Sequence, residues 1–394
     1  MNVKNIVKKL CTFAFLFFVF GLMFVGMIKT FFFSKDVNLY ENRNAYKVSE
    51  FTLDSYMDGS YQDDFENAFT DQVLFAQTFK KAYNDVTSKF LYKCMMTILE
   101  NNPDRYVSFM NKMIIGGDYV VYGMRDFSQI APALDAKIDN INQYIEEHPD
   151  IDMYIYYIER DTDINFETNE KLGAYEYLSN KINLPESNIG RYEVVNFEDY
   201  KEKFYRTDHH WNYYGSYQGY LQVMNLLGET PLIKPEETVE LNYRFSGAKS
   251  KTSGMEAVFS EDFMAYRYNY PDMNITINGK AADDYGNQDG YFTNTASDIS
   301  YGNFYGGDYG ETIFDTGNTD KENILIIGES FDNAILKLIA SQYNCTYSID
   351  LRNYERSMGE KFKMADYMKS HNIDKVLLIG NVDFYVMEEF NLED

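Results

Sequence analysis

Four histidines stand in the chain, His148, His209, His210 and His371, and two are neighbours within Thr207-Asp208-His209-His210-Trp211-Asn212. A base that works near neutrality is most readily an imidazole, so this segment is the first place to look for proton transfer. Asp208 and His210 are two residues apart. In an extended backbone such residues point to one side; the carboxylate then accepts the Nδ1 hydrogen, fixes the tautomer and leaves Nε2 free to take a proton. The same geometry turns His209 away from both. A structural or solvent-facing histidine pair fits the composition equally well. A metal is not expected, because no HExxH pattern and no further cluster of ligands accompanies the three residues.

The second chemical segment is Asn323-Ile324-Leu325-Ile326-Ile327-Gly328-Glu329-Ser330, followed by Phe331 and the apolar-periodic run Asp332–Ile339. It reads as an apolar strand, a tight glycine turn and a serine opening a helix. A serine so placed stands at the carboxyl end of a strand, where open α/β sheets put their ligands, and backbone N–H groups at a helix start stabilise a developing oxyanion. Taken alone the motif favours an N-cap with no catalytic role. With an Asp–His pair elsewhere in the chain, nucleophilic catalysis becomes the better reading.

These residues need a scaffold. Short apolar runs at Ile151–Ile158, Tyr192–Phe197, Asn323–Ile327, Cys345–Ile349 and Lys375–Ile379 alternate with helical patterns at Ala131–Glu147, Leu172–Ile182, Gly215–Leu227, Asp332–Tyr343 and Lys361–His371. That alternation predicts a mostly parallel α/β sheet with helices on both faces, a three-layer fold. Residues 240–318, rich in Tyr, Gly, Asn and Asp, break the rhythm and read as an inserted region of loops and short antiparallel strands. Its six glycines and five tyrosines between Asp284 and Gly310 offer a sugar-binding wall or ordinary surface β structure. Residues 36–110 read as a helical lead-in, with amphipathic spacing from Tyr61 to Leu99.

Leu10–Ile28 is a run of 19 uncharged residues. As a helix it spans about 28 Å, close to the roughly 30 Å hydrocarbon core of a bilayer. Lys4, Lys8 and Lys9 precede it, so residues 1–35 are expected to be a cytoplasmic tip and an uncleaved membrane anchor, with the rest outside. The chain of 394 residues carries a net charge of −25. Five lysines precede the first acid, Asp36, so the remainder holds 31 bases against 61 acids. A body that negative repels nucleic acid. No Walker loop and no GxGxxG following a strand is present, which removes kinase, ATPase and dehydrogenase readings, and no cofactor is expected. Cys11, Cys94 and Cys345 are too few for a disulfide framework.

Asp208-His209-His210-Trp211, with Gly328-Glu329-Ser330-Phe331 well downstream, resembles the DHHW proteins, relatives of the alginate O-acetyltransferases AlgX and AlgJ within the SGNH-hydrolase-like group. The Asp–His pair precedes the serine, the rearranged order of those relatives, and Glu41-Asn42-Arg43 looks like the start of a DHHW ectodomain. The resemblance spans Glu41 to the C-terminus and implies an SGNH-like catalytic domain over 111–394. It makes Ser330 the nucleophile, His210 the general base and Asp208 its orienting partner. It also matches Arg352 to an active-site arginine, for which a surface ion pair with Asp350 or Glu355 is the plain alternative, and offers Gly328, Asn381 and Trp211 for oxyanion or substrate contacts. Glu329 departs from the family's usual Asp, and the expected arginine near Gln77 is missing. The implied activity is a membrane-anchored, extracytoplasmic O-acetyltransferase acting on polysaccharide hydroxyls, with a membrane-bound O-acyltransferase as donor partner. An acetylesterase using the same triad and a non-catalytic glycan-binding protein are the alternatives.

Overall fold

The computed structural model describes residues 3–35, 37–38, 43–101, 107–109, 112–115, 119–296 and 298–392. Glu41 and Asn42 fall outside the described residues. The chain divides into two compact units, Met1–Asn101 with Ser250–Phe259, and Asn102–Lys249 with Ser260–Asp394.

In the first unit the helix Val3–Phe32 contains a stretch, Ile6–Phe32, long and apolar enough to cross a membrane. Helices Leu53–Asp58, Ser60–Gln72 and Ala76–Asn101 follow. Thr52 starts the first of them with a capping box: its hydroxyl accepts Ser55 N–H while Ser55 Oγ accepts Thr52 N–H. The helical lead-in is therefore narrower than 36–110. Val37–Asn38 pairs with Arg43–Asn44, and Val107–Phe109 is already a strand. Gln77, where an arginine was expected, donates to Asn38 Oδ1 at 2.9 Å.

The second unit is built on one eight-stranded sheet. Its order is Lys280–Ala282, Asn274–Ile277, Glu311–Asp315, Cys345–Ile349, Ile324–Ile327, Lys375–Gly380, Asp152–Ile158, Ile189–Tyr192. The last five are parallel, and the first three join antiparallel at one edge. Alternation along the central strands separates two cores. Ile324, Ile326, Leu377 and Ile379 face one side, with Tyr220, Val223 and Met224 of the helix Tyr213–Leu226. Leu325, Ile327, Val376 and Leu378 face the other, with Ile130, Leu134, Ile138 and Ile141 of the helix Phe127–Glu147. A strand buried on both faces needs a continuous apolar run, and a three-layer fold supplies both covers.

Three local expectations shift. The run at 192–197 is strand only up to Tyr192, because Asn196 accepts Asp199 N–H and starts a helix at Phe197. The long helix after Ser330 is broken into a 3-10 turn, Asp332–Ala334, and a short helix, Leu336–Ala340. Within 240–318, Asn274–Ile277, Lys280–Ala282 and Glu311–Asp315 extend the main sheet, while Glu237–Phe245 and Glu261–Arg267 form a separate antiparallel pair.

Candidate active site

Ser330 lies three residues beyond Ile327, at the carboxyl end of a central parallel strand. The carboxyl ends of the neighbouring strands bring Asp350 and Arg352 on one side and Asn381 and Asp383 on the other. Asp208, His209 and His210 reach this place on a tight loop between the helices Phe197–Lys203 and Tyr213–Leu226. The loop closes through a Phe204–Trp211 bridge and through Tyr205 N–H and Asn212 N–H, which donate to His210 O and Lys203 O at 3.2 and 2.8 Å. Asn212 Oδ1 then caps the following helix by accepting the N–H groups of Tyr214 and Gly215.

The structure brings His210 and Ser330 together across 120 residues, with Nε2 2.8 Å from Oγ. Asp208 Oδ1 lies 2.6 Å from His210 Nδ1 and also accepts His210 N–H at 3.1 Å. Asp208 Oδ2 accepts Ala248 N–H at 2.7 Å. Burial works against its charge, yet the hydrogen bonds from His210 and from Ala248 N–H hold the Asp208 carboxyl well below the usual carboxylate range. The next residue, Lys249, is wholly buried, with Nζ 3.2 Å from Asp161 Oδ2 and 2.8 Å from Tyr200 Oη. The segment that supplies Ala248 N–H is thereby clamped. Tyr301 stacks flat on His210, with ring centroids 3.7 Å apart and planes 4° apart. An imidazole hydrogen-bonded at both nitrogens and pressed by a ring can exchange a proton with the serine without turning.

Gly247 shows how tight this cradle is. A Cβ there would sit 2.4 Å from Asp208 Cβ. Gly247→Ala must therefore push Asp208 off His210, and a shift of about 1 Å in such a constellation costs about 10²-fold in rate. Measuring turnover of an activated acetate ester by the folded variant tests this; a rate within twofold of the parent would contradict it.

The expectation that His209 points away does not hold, because the loop is bent rather than extended. Its Nδ1 is 3.6 Å from Asp208 Oδ1, and its ring centroid lies 4.0 Å from that of His210. Asp208, His209 and His210 form the one cluster with metal-ligand spacing among the described residues, all three donor atoms lying within 4.8 Å of one another. Two of the donors, Asp208 Oδ1 and His210 Nδ1, are hydrogen-bonded to each other. Burial and the neighbouring His210 push the His209 imidazole well below its ordinary range, so it is neutral in the fold. The unfolded chain takes up a proton at His209 below about pH 6.5 while the folded chain does not. Stability is expected to fall as pH drops through that value, by at most about 1.4 kcal/mol per pH unit for one proton. His209→Asn should flatten denaturant-unfolding stability between pH 7 and 5; an unchanged slope would refute the assignment.

The other expected site residues divide. Arg352 pairs with Asp350 through Nε and Nη2 at 2.9 and 2.6 Å, and its Nη1 also stands 3.9 Å from Glu329 Oε2. It is thus both an ion-pair member and a neighbour of the serine turn, since Glu329 Oε2 is 3.4 Å from Ser330 Oγ. Burial raises the Glu329 carboxyl, against the pull of Arg352. Asn381 donates to Glu329 Oε1 at 2.6 Å, so it holds that carboxyl with one of its two amide hydrogens. Gly328 N–H is turned away from any oxyanion, since it goes to Ile349 O at 3.1 Å. The glycine is needed because a Cβ there would lie 2.1 Å from Asp332 Oδ2. Trp211 is wholly buried against Tyr192 and Phe331, so it packs under the loop and presents no face to a substrate. A small cavity beside Glu329, with room for about one water, is lined by Asp308, Asp332, Asn333, Ser348 and Asp350.

Sequence reasoning missed Tyr301, Gly247 and Ala248. No motif marks the last two. Tyr301 lay within the tyrosine-rich stretch, whose Tyr285, Tyr291, Tyr301 and Tyr305 are buried and form core instead of a wall.

No protein-family model matches the sequence, and the search of curated proteins finds no relative. Solved structures do match in fold. PatB1 from Bacillus cereus, in a structure with a sulfonyl adduct, aligns at TM-score 0.55 and 17% identity, covering 74% of this chain and 100% of its own. A second structure of PatB1 aligns at 0.52 and 18%, with the same coverage. A DHHW family protein from Eubacterium siraeum aligns at TM-score 0.51 and 18% identity, covering 72% of this chain and 94% of its own. The chain therefore has the fold of these proteins.

Proposed function

We propose that this protein is a membrane-anchored O-acetyltransferase that modifies hydroxyls of a cell-surface or secreted polysaccharide. The observation that carries the reading is the 2.8 Å approach of His210 Nε2 to Ser330 Oγ, with Asp208 on the far side of the same ring. In the first half-reaction Ser330 Oγ attacks the acetyl carbonyl of the donor while its proton passes to His210 Nε2. The tetrahedral intermediate collapses, the leaving group takes that proton, and Ser330 is left as an acetyl ester. In the second, a sugar hydroxyl gives its proton to His210 and attacks the ester, and Ser330 is regenerated. Asp208 stays ionised and stabilises the imidazolium formed in each half. Arg352 and Asn381 hold Glu329 beside the reacting oxygen.

The motif resemblance supports a membrane-bound O-acyltransferase as the source of the acetyl group. The lysine-flanked apolar helix supports a body outside the cytoplasm. The test is to treat the detergent-solubilised full chain with a sulfonyl fluoride, map the modified residue by mass spectrometry, and follow acetate release from an activated ester with and without oligosaccharide. The reading expects modification at Ser330 and diversion of acetate to sugar. Acetate release that no sugar diverts would make the protein an esterase, and an unmodified Ser330 would remove the nucleophile.

A further inference from the structure

With the tyrosines of 284–310 largely in the core, a carbohydrate surface must be sought elsewhere, and five half-buried tyrosines provide one. Tyr213 and Tyr217 are four apart on the helix Tyr213–Leu226 and so share a face. Tyr266 is the next-to-last residue of the strand Glu261–Arg267, and Tyr268 and Tyr270 follow at alternate positions, which in extended chain point the same way. Their rings form a connected strip. Centroids lie 4.8 Å apart for Tyr213 and Tyr266, 5.8 Å for Tyr217 and Tyr266, 6.1 Å for Tyr266 and Tyr268, and 5.7 Å for Tyr268 and Tyr270. Tyr213 and Tyr217 meet Tyr266 at 81° and 78°, so ring edges and faces alternate along the strip. Among the described residues the hydroxyls of Tyr213, Tyr266, Tyr268 and Tyr270 have no hydrogen-bond partner.

Tyr268 and Tyr270 pack on the same core as Tyr301 and Tyr305, and Tyr305 lies 4.9 Å from Tyr301, the ring stacked on His210. The cations beside the strip are paired. Lys337 sits 4.5 Å over Tyr270 but is paired with Asp284 at 2.7 Å, and Arg267 is turned to Phe292 and Glu237. Ring faces suit the apolar faces of sugars, unpaired phenols suit their hydroxyls, and the pairing of Lys337 and Arg267 with carboxylates disfavours an acidic sugar.

We propose that the strip Tyr213–Tyr266–Tyr268–Tyr270 binds a neutral oligosaccharide. This rests on the transfer reading for its purpose but not for its test, which involves no chemistry. Cellohexaose and chitohexaose are titrated calorimetrically into the full-length Ser330→Ala chain, then into the same chain carrying Tyr266→Ala and Tyr268→Ala, with folding checked by thermal melting. At least one hexasaccharide is expected to bind, and the double alanine variant to bind at least tenfold more weakly. Tyr266→Phe with Tyr268→Phe, which keeps the rings, should recover most of that loss. Should the alanine variant not fold, tetranitromethane nitration of Tyr213 and Tyr266 in the unsubstituted chain replaces it, and the hexasaccharide should slow nitration. No binding of either sugar, equal binding after the alanine changes, unslowed nitration, or a strip buried between two copies of the chain in solution would each overturn the proposal. An unmodified Ser330 under sulfonyl fluoride would defeat the transfer reading and leave this binding result standing.

Discussion

Ser330→Ala is expected to abolish formation of an acetyl-enzyme and to lower acetyl transfer by at least about 10⁴-fold, with the fold intact. Removing a nucleophile from a coupled Ser–His–Asp unit costs about 10⁶-fold in the best-studied case, and what survives comes from binding and oxyanion contacts alone. The side chain is small and buried, and its Oγ spends its contacts on His210 and Glu329. Deleting it leaves His210 Nε2 facing a small gap, so the melting temperature should move little. Because the two residues act as one unit, adding His210→Ala to the serine variant should cost almost nothing more. The measurement is polymer acetylation in cells carrying the variant, alongside mass spectrometry of the purified chain. Unchanged acetylation would leave only a glycan-binding role.

Asp208→Asn should be nearly as severe for a different reason. The amide keeps the volume and can still accept Ala248 N–H, but if its nitrogen faces His210 it forces Nδ1 to act as acceptor and puts the ring hydrogen on Nε2. His210 then presents a donor to Ser330 where a base is needed, and the expected loss in rate is about 10⁴-fold. Asp208 also makes stability sensitive to acid, at lower pH than His209 does. The Asp208 carboxyl is held below its unfolded value, so its contribution is full above about pH 4 and is lost as pH falls further. Denaturant midpoints below pH 4 should therefore fall less steeply for Asp208→Asn than for the parent. A variant with normal turnover would show that the carboxylate does not set the tautomer.

How much of this could be read beforehand depended on how local each determinant is. Cys345–Ile349 was found to the residue although Thr346 and Ser348 interrupt it, and Ile324–Ile327 and Lys375–Gly380 to within one, because the latter two, buried on both faces, are continuous apolar runs. The Asp208–His210 contact was foreseen for a partly wrong reason. An extended segment would have turned His209 away, whereas the bent loop keeps all three side chains together. The helix Leu351–Met358 went unread since its polar face dominates its composition, and it starts on Asp350, whose side chain accepts Arg352 N–H. Trp211 drew attention as the sole tryptophan, but scarcity says nothing about exposure. Ala248 was out of reach: it contributes a backbone N–H, which carries no side-chain signature. The tyrosines show the same limit, as composition counts rings without telling which are core and which are rim.

The order of strands bears on how the protein comes into being. Ile324–Ile327, which leads into the serine turn, is flanked by Lys375–Gly380, and that strand is bonded on its other side to Asp152–Ile158. Partners more than two hundred residues apart in sequence must meet before the middle of the sheet exists. Such distant pairings are slow to nucleate, and they cannot begin during synthesis until the chain beyond residue 375 has emerged. A ribosome-bound polypeptide that has not yet released Lys375–Gly380 therefore carries an imidazole and an alcohol with no frame to align them, and stays chemically silent.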